Sequence, residues 1–325
     1  MTLREGDYVE TVEHLVFAVK GLSHPKDRTI AYLRYTPESQ GERIRRDGMR
    51  FTRIYDLGQS TEYLRTNFPR YLYFDEKRQM LVQAVPDTAV LKTYRPEEGL
   101  AEMKQNPDNE LEEAAVRFAE AISKKAGITL KSIGVSGSLL LGLAAASSDI
   151  DLTVYGERNC RQAYEVLKEM RVERLISAYD TPQAIKVTKE RWSETGLDLS
   201  RLVEIEKAKL LHGLFGERDY FIRLVKESEE REAVYTPLGE AVVHARIRDN
   251  RDSIFTPCSY LVDCLEEPIQ GRVEELASFR GKFTEQTHRG QLVEARGKLE
   301  KVNEERGSYL RLLLGDPGDY LIPVG

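Results

Sequence analysis

Apolar residues recur along this chain in two rhythms. Up to about Glu102 they come in short runs, Leu15 to Val19, Ile30 to Tyr35, Phe51 to Tyr55, Tyr71 to Phe74 and Met80 to Val85, separated by turn residues. Such runs predict strands, and a helical segment near Ser60 to Phe68 falls between the third and the fourth. From Asn109 the spacing becomes that of one helix face: Leu111, Ala115, Phe118 and Ile122 recur every three or four residues. Asn109 suits the N-cap, with Glu112 three positions on, and Gly127 suits the stop. Pro96 to Asp108, ending Gln105-Asn106-Pro107-Asp108, reads as the connection between the two patterns.

Helices are expected again over Asn159 to Met170 and Leu199 to Leu214, followed by a strand-like run, Tyr220 to Val225. Beyond Arg231 short strands return: Ala241 to Ile247, Ser253 to Val262, Leu276 to Phe283, Leu292 to Leu299, Tyr309 to Leu314 and Tyr320 to Val324. The pattern predicts an α+β, multidomain protein. Its expected parts are an N-terminal α+β domain (1–105), a mixed α/β core (106–230) and a C-terminal small β-barrel or sandwich (231–325), OB-like barrels among the candidates.

Composition narrows the class. A length of 325 residues exceeds one ordinary core, and 31% charged with 41% hydrophobic residues is globular, not disordered. The net charge of -6 argues against wholesale coating of nucleic acid but leaves room for a local basic site. Cys160, Cys258 and Cys264 are odd in number and lack paired metal-ligand spacing, as expected of reduced packing residues. No apolar leader follows Met1 and no run of about 18 apolar residues occurs, so the expected setting is the cytoplasm, with no membrane partner.

Spacing implies chemistry in one segment, Gly134 to Gly156. Residues i and i+2 of a strand project to the same face, so Asp149 and Asp151 present two carboxylates side by side. Hard oxygen ligands of that kind suit Mg2+, which binds one or two carboxylates together with substrate phosphates. Upstream, Ile133-Gly134-Val135, then Gly137-Ser138, then the Leu/Ala-rich run Leu139 to Ala146 read as strand, tight turn and helix. Gly137 lets backbone approach a ligand closely, and Ser138 stands where a helix start offers N–H groups to a phosphate.

At these residues the chain resembles the DNA polymerase β-like nucleotidyltransferase superfamily, and most of all its uncharacterised archaeal members. The signature is Gly-Ser, three residues, Gly, five residues, then Ser/Thr-Asp-x-Asp; Gly137, Ser138, Gly142, Ser148, Asp149 and Asp151 match it in order and spacing. The resemblance spans about Glu110 to Val225. It implies a nucleotidyltransferase core in which Asp149 and Asp151 are the catalytic, metal-binding acids for two Mg2+ ions. Gly137, Ser138 and Ser148 would bind the nucleotide. The implied reaction moves a nucleoside monophosphate from an NTP, ATP among them, to an acceptor hydroxyl of an RNA end, a protein or a small molecule.

Two departures stand out. Relatives often carry basic residues where this chain has Leu139, Leu140 and Leu141. The family also places a third carboxylate on a neighbouring strand, whereas Tyr220 to Val225 holds no acid and has Arg223 in its middle. Arg223 is a candidate nucleotide-binding residue, or else an edge-strand residue facing solvent. Asp219, Glu240 and Asp249 are the alternative third acids, and spacing does not choose among them. The alternative function is therefore a nucleotide- or RNA-binding protein that keeps the fold without turnover, or a scaffold.

Arg43, Arg45, Arg46, Arg50 and Arg53 fall within eleven residues that contain one acid, Asp47, with Tyr32, Tyr35, Phe51 and Tyr55 around them. That reads either as an RNA surface or as a solvated hairpin. His14, His24, His212, His244 and His288 form no cluster, and of Lys207 and Lys209 at most one is placed to reach a triphosphate. Nothing in the sequence encodes the oligomeric state.

Overall fold

The N-terminal runs do form strands, and they pack on both faces. The computed structural model describes residues 3–227, 233–266, 271–305 and 307–324. In chain order these carry β1 (Tyr8–Thr11), β2 (Val16–Val19), β3 (Arg28–Pro37), β4 (Arg43–Ile44), β5 (Arg50–Arg53), α1 (Leu57–Asn67), β6 (Leu72–Asp75), β7 (Met80–Pro86) and β8 (Val90–Tyr94). Next come α2 (Pro96–Gln105), α3 (Glu110–Ala126), β9 (Ile133–Val135), α4 (Gly137–Leu140), β10 (Ile150–Tyr155), α5 (Glu157–Val172), α6 (Thr181–Trp192) and α7 (Ser200–Ala208). The last are β11 (His212–Phe215), β12 (Arg218–Val225), β13 (Val234–Asp249), β14 (Cys258–Cys264), β15 (Val273–Ser278), β16 (Leu292–Glu304), β17 (Gly307–Leu314) and β18 (Tyr320–Pro323). The protein is a mixed α+β fold with several sheets.

It divides into two compact units: 1–76, 80–166 and 218–230 in the first, 77–79, 167–217 and 231–325 in the second. The sequence reading of three domains cuts the chain differently, and its boundary at 230/231 lies outside the described residues. Packing explains the helical stretch. Trp192 of α6 and Leu202 of α7 are buried in one cluster with Tyr260, Leu276, Val293 and Leu312 of the C-terminal strands, so those helices complete that core.

In unit 1 the sheet order is β4-β5-β3-β2-β1-β8, with β7 and then β6 added on β3. Alternate residues serve opposite faces: Val9, Phe17 and Leu33 pack with Leu64 of α1, while Tyr8, Val16, Ala18, Tyr35 and Phe51 pack with Leu141 and Leu143. Beside this sheet in sequence, α3 is built as expected. Asn109 accepts from the N–H groups of Leu111 and Glu112, and Gly127 ends the helix in the left-handed region at φ 62°. A second small sheet sets β10 between antiparallel β9 and parallel β12. Its even-numbered face is sealed, with Phe118 of α3 meeting Tyr220 at 5.0 Å.

Several local expectations need correction: the helix expected over Leu199 to Leu214 stops at Ala208, and His212–Phe215 is strand β11. Pro96 to Gln105 is a helix, not a connection: Pro96 fixes the first turn, Glu97 and Glu98 favour its positive end and Lys104 its negative end. The Leu139 to Ala146 run is helical only through Leu140, because Gly142 takes φ 65° in the turn that follows.

In unit 2, β13 pairs with both β14 and β16, β14 with β15, β15 with β17 in parallel, and β17 with β16, while β18 is added to β16. The ladder thus returns to its first strand. Among the described residues no helix is long and apolar enough to cross a membrane.

Candidate functional site

The glycine of the Gly-Ser pair lies directly against the second aspartate. Gly137 adopts φ 59°, and a Cβ added to it would stand 2.9 Å from Asp151 Cγ and closer still to Oδ2. The contact is fixed by backbone, since the Ser136 N–H donates to Asp151 O at 2.8 Å. Any side chain here would displace the carboxylate. Ser138 is buried and its carbonyl accepts from the Leu143 N–H at 2.9 Å, which closes the turn. With a single helical turn after Gly137 there is no long helix dipole, so any anion held here must be met by turn backbone.

Asp149 and Asp151 are both partly exposed and lie on the odd-numbered face of β10, opposite buried Ile150, Leu152 and Val154. Ser148 is nearly buried. Its Oγ accepts from Arg43 Nη1 at 3.1 Å and from the Ala145 N–H at 2.9 Å, so this hydroxyl fastens the loop leading into the acids. Arg218 donates to Ala146 O from the start of β12.

The parallel register sets Tyr220 beside Ile150, Phe221 beside Asp151 and Arg223 beside Thr153. Arg223 therefore shares the face of the aspartates, and Asp219 precedes the first register pair just as Asp149 does. Asp219 is exposed. Glu240 and Asp249 belong to unit 2, where they pair with Arg296 at 3.0 Å and Arg251 at 2.6 Å. Among the described residues no group of three His, Cys, Asp or Glu side chains stands ready to hold a metal ion.

Residues that the sequence did not single out complete the surroundings. Buried Glu5 takes Lys20 Nζ at 2.8 Å and the Gly21 N–H at 2.9 Å, and Arg223 Nε stands 3.5 Å away. Burial pushes the Glu5 carboxyl up, but Lys20 and Arg223 outweigh it and hold the pKa below the usual range. Burial brings Lys20 down to about 8 despite Glu5. The turn carrying Glu5 is tied to β10 and its neighbours: Ser136 Oγ donates to Gly6 O at 3.1 Å, and the Tyr155 hydroxyl to Glu5 O at 3.2 Å. Gly6 is at φ 101°, with space for no Cβ beside the Tyr155 hydroxyl.

The arginine cluster separates by role. Arg45 pairs with Glu10 at 2.9 Å and Asp47 at 2.8 Å, Arg46 with Asp108 and Glu112, and Arg50 donates to Gly41 O. Arg43 fastens Ser148, as above. Arg53 has no carboxylate within ion-pair distance among the described residues; its guanidinium lies 4.3 Å from the Tyr55 ring centre and 6.0 Å from that of Tyr35. Asp151, Tyr8 and Tyr35 are all near enough to interact electrostatically with it. The only sequence signal for Arg53 is its place two residues after Phe51, which puts the two on the same face of β5.

Two other candidates are bound up in structure. Lys209 is buried against Glu206 at 3.1 Å, and Lys207 pairs with Glu204 at 3.2 Å. A cavity of about 750 Å³ is lined by Glu10, His14, Arg45, Tyr94 and Leu139 to Gly142, and by neither aspartate. At its wall Glu10 is already satisfied by Arg45, Tyr94 and His14.

No family model matches the chain, and no solved structure does either. A curated relative does: the uncharacterized protein MJ1086 of Methanocaldococcus jannaschii is 31% identical over 330 residues, an alignment covering 97% of this chain and 96% of the relative. Agreement over nearly the whole of both chains takes in both units as well as the aspartate strand. The chain thus belongs to the same family as this archaeal protein.

Proposed function

We propose that the protein is a nucleotidyltransferase that moves a nucleoside monophosphate from an NTP to an acceptor hydroxyl, on a site of the polymerase β type. One observation carries the reading: the Gly137-Ser138 turn and the Asp149–Asp151 strand, matched in sequence spacing, are pressed together so closely that only glycine fits between them. A phosphate taken up by the turn's backbone would lie against the carboxylates. The two acids fit Mg2+ chemically, as hard oxygen donors that leave coordination positions for phosphate and water. Mg2+ bound there would supply neutralisation of the phosphate charge during displacement.

In that reaction the acceptor oxygen bonds to the α-phosphorus as the bond to pyrophosphate breaks. The hydroxyl proton passes to a carboxylate on the same face and on to water. Asp219, at the head of β12 on the face of Asp149, is our choice for that carboxylate. The rival reading, a nucleotide-binding protein without turnover, draws on the absence of a three-acid cluster among the described residues. We also read the closed ladder of unit 2 as a small barrel of OB type, whose third and fifth strands run parallel. Its β14 and β15 present Leu261, Asp263 and Glu274 outward, with Arg248 and Arg272 paired to Asp263.

Incubation with each labelled NTP, Mg2+ and cell extract separates the readings. Transfer of label that falls at least about a hundredfold in Asp149→Asn/Asp151→Asn is the expected result. Saturable NTP retention with no transfer would favour the rival, and undiminished transfer in the double variant would overturn the site.

A further inference from the structure

Cations gather on the side of the aspartates, and they differ in how fully the protein engages them. Arg53 and Arg223 are near Tyr8 and Asp151, while the buried carboxylate beside Arg223, Glu5, is engaged by Lys20, Gly21 and, at 3.5 Å, by Arg223 itself. Arg223 retains 22% of its side-chain exposure, and its Nε meets Glu5 Oε1 as an ion pair at 3.5 Å without a formed hydrogen bond. Arg53 has aromatic rings beside it and, among the described residues, no carboxylate within ion-pair distance. An arginine held half-buried between tyrosines loses hydration that a carboxylate or a phosphate oxygen would restore, and its planar fork suits phosphate.

Topology indicates which substrate this charge serves. The Gly137-Ser138 turn flanks β10 on the β9 side, and Arg223 stands on the β12 side. An in-line displacement needs the attacking and leaving oxygens on opposite sides of the phosphorus. If pyrophosphate leaves over the turn, the acceptor enters from β12. Leu139 to Leu141 fit the same arrangement: Leu140 and Leu141 belong to the cluster that holds Tyr8, Tyr35 and Phe51, and so they seat the sheet that brings Arg53 to the acids.

We infer that the acceptor is itself phosphorylated, and that Arg53 and Arg223 hold its phosphate beside the attacking hydroxyl. A serine, threonine or tyrosine of a protein brings no such charge. The inference rests on the proposed reaction for the word acceptor, but the phosphate subsite stands on its own geometry. A nucleic-acid end and a small sugar phosphate share the required chemistry.

Calorimetry on the full chain tests it, with a short single-stranded oligoribonucleotide and, separately, glycerol 3-phosphate as probes, each with and without Mg2+ and a non-hydrolysable NTP. One probe should bind, which identifies the source. Its affinity should fall about tenfold in Arg53→Ser, return largely in Arg53→Lys, and fall in Arg223→Gln, while NTP affinity stays within about twofold. Probe binding through Arg53 without NTP binding would uphold the subsite and remove the proposed reaction. Failure of both probes, equal loss of NTP and probe affinity in Arg53→Ser, or label transferred to unphosphorylated protein would overturn the inference.

Discussion

Each unit buries a cluster of charges, and the two clusters are finished differently. In unit 2, Glu206 is fully buried and accepts from Trp192 Nε1 at 3.0 Å, Arg191 Nη1 at 2.9 Å and Lys209 Nζ at 3.1 Å, with His212 Nε2 3.0 Å away. Lys209 spends another proton on Lys282 O. Those donors outweigh burial and hold the Glu206 carboxyl well below its usual range. In unit 1 Arg53 has no carboxylate within ion-pair distance among the described residues, and Arg223 reaches Glu5 at 3.5 Å without a formed hydrogen bond at Nε. A closed network locks a core together, whereas an open one is stable only because it is half-solvated, and it is the open one that can receive an anion.

The strongest way to break this contrast is to remove the hub of the closed network. Glu206→Ala strands buried Lys209, partly exposed Arg191 and a histidine, and should destabilise the protein by about 3–5 kcal/mol in denaturant titration. A loss under about 1 kcal/mol would mean that the cluster is no lock. Gly137→Val, next in size, forces a β-branched residue to φ 59° against Asp151. It should remove NTP binding and cost about 2 kcal/mol. Unchanged NTP affinity in the folded variant would separate the turn from the phosphate.

Acid sharpens the contrast with opposite signs. Burial, with Arg191 nearby, lowers His212 to about 4 from 6.5, so the native state holds fewer protons than the unfolded chain between those values. Its contribution is present above pH 6.5 and lost as pH falls through about 4. Burial raises Asp7 of unit 1 from 3.8 to about 6, so its contribution is full below pH 3.8 and lost as pH rises through about 6. Asp7→Asn should flatten the second dependence in melts across that range, and His212→Gln the first. The smallest effect is expected at the open cluster: Arg53→Ser should shift stability by no more than about 0.5 kcal/mol. A larger loss in thermal melts would make Arg53 a structural residue.

What could be read in the sequence was local. Gly137, Ser138, Asp149 and Asp151 lie within fifteen residues of one another, so spacing alone placed them, and Asn109 and Gly127 marked their helix through cap chemistry. Helix α2 was obscured because the breaker-rich Gln105 to Asp108 dominated its end. The arginines of 43–53 looked alike in sequence, because their differing fates depend on Glu10, Asp108, Glu112 and Ser148, which lie far along the chain. Lys209 was legible as a cation with Glu206 three residues before it, but only the fold of unit 2 buries the pair.

The leucines after Ser138 carry a consequence for dissection. A fragment starting at residue 106 keeps every residue of the sequence signature, but it lacks Tyr8, Val16, Ala18, Tyr35 and Phe51, the apolar cover of Leu141 and Leu143. It also lacks the Gly6 carbonyl that receives Ser136 and the Glu5 carbonyl that receives Tyr155. Such a minimal piece would expose greasy surface beside its own aspartates and aggregate. The smallest piece that keeps the Gly137–Asp151 segment covered must include the first hundred residues.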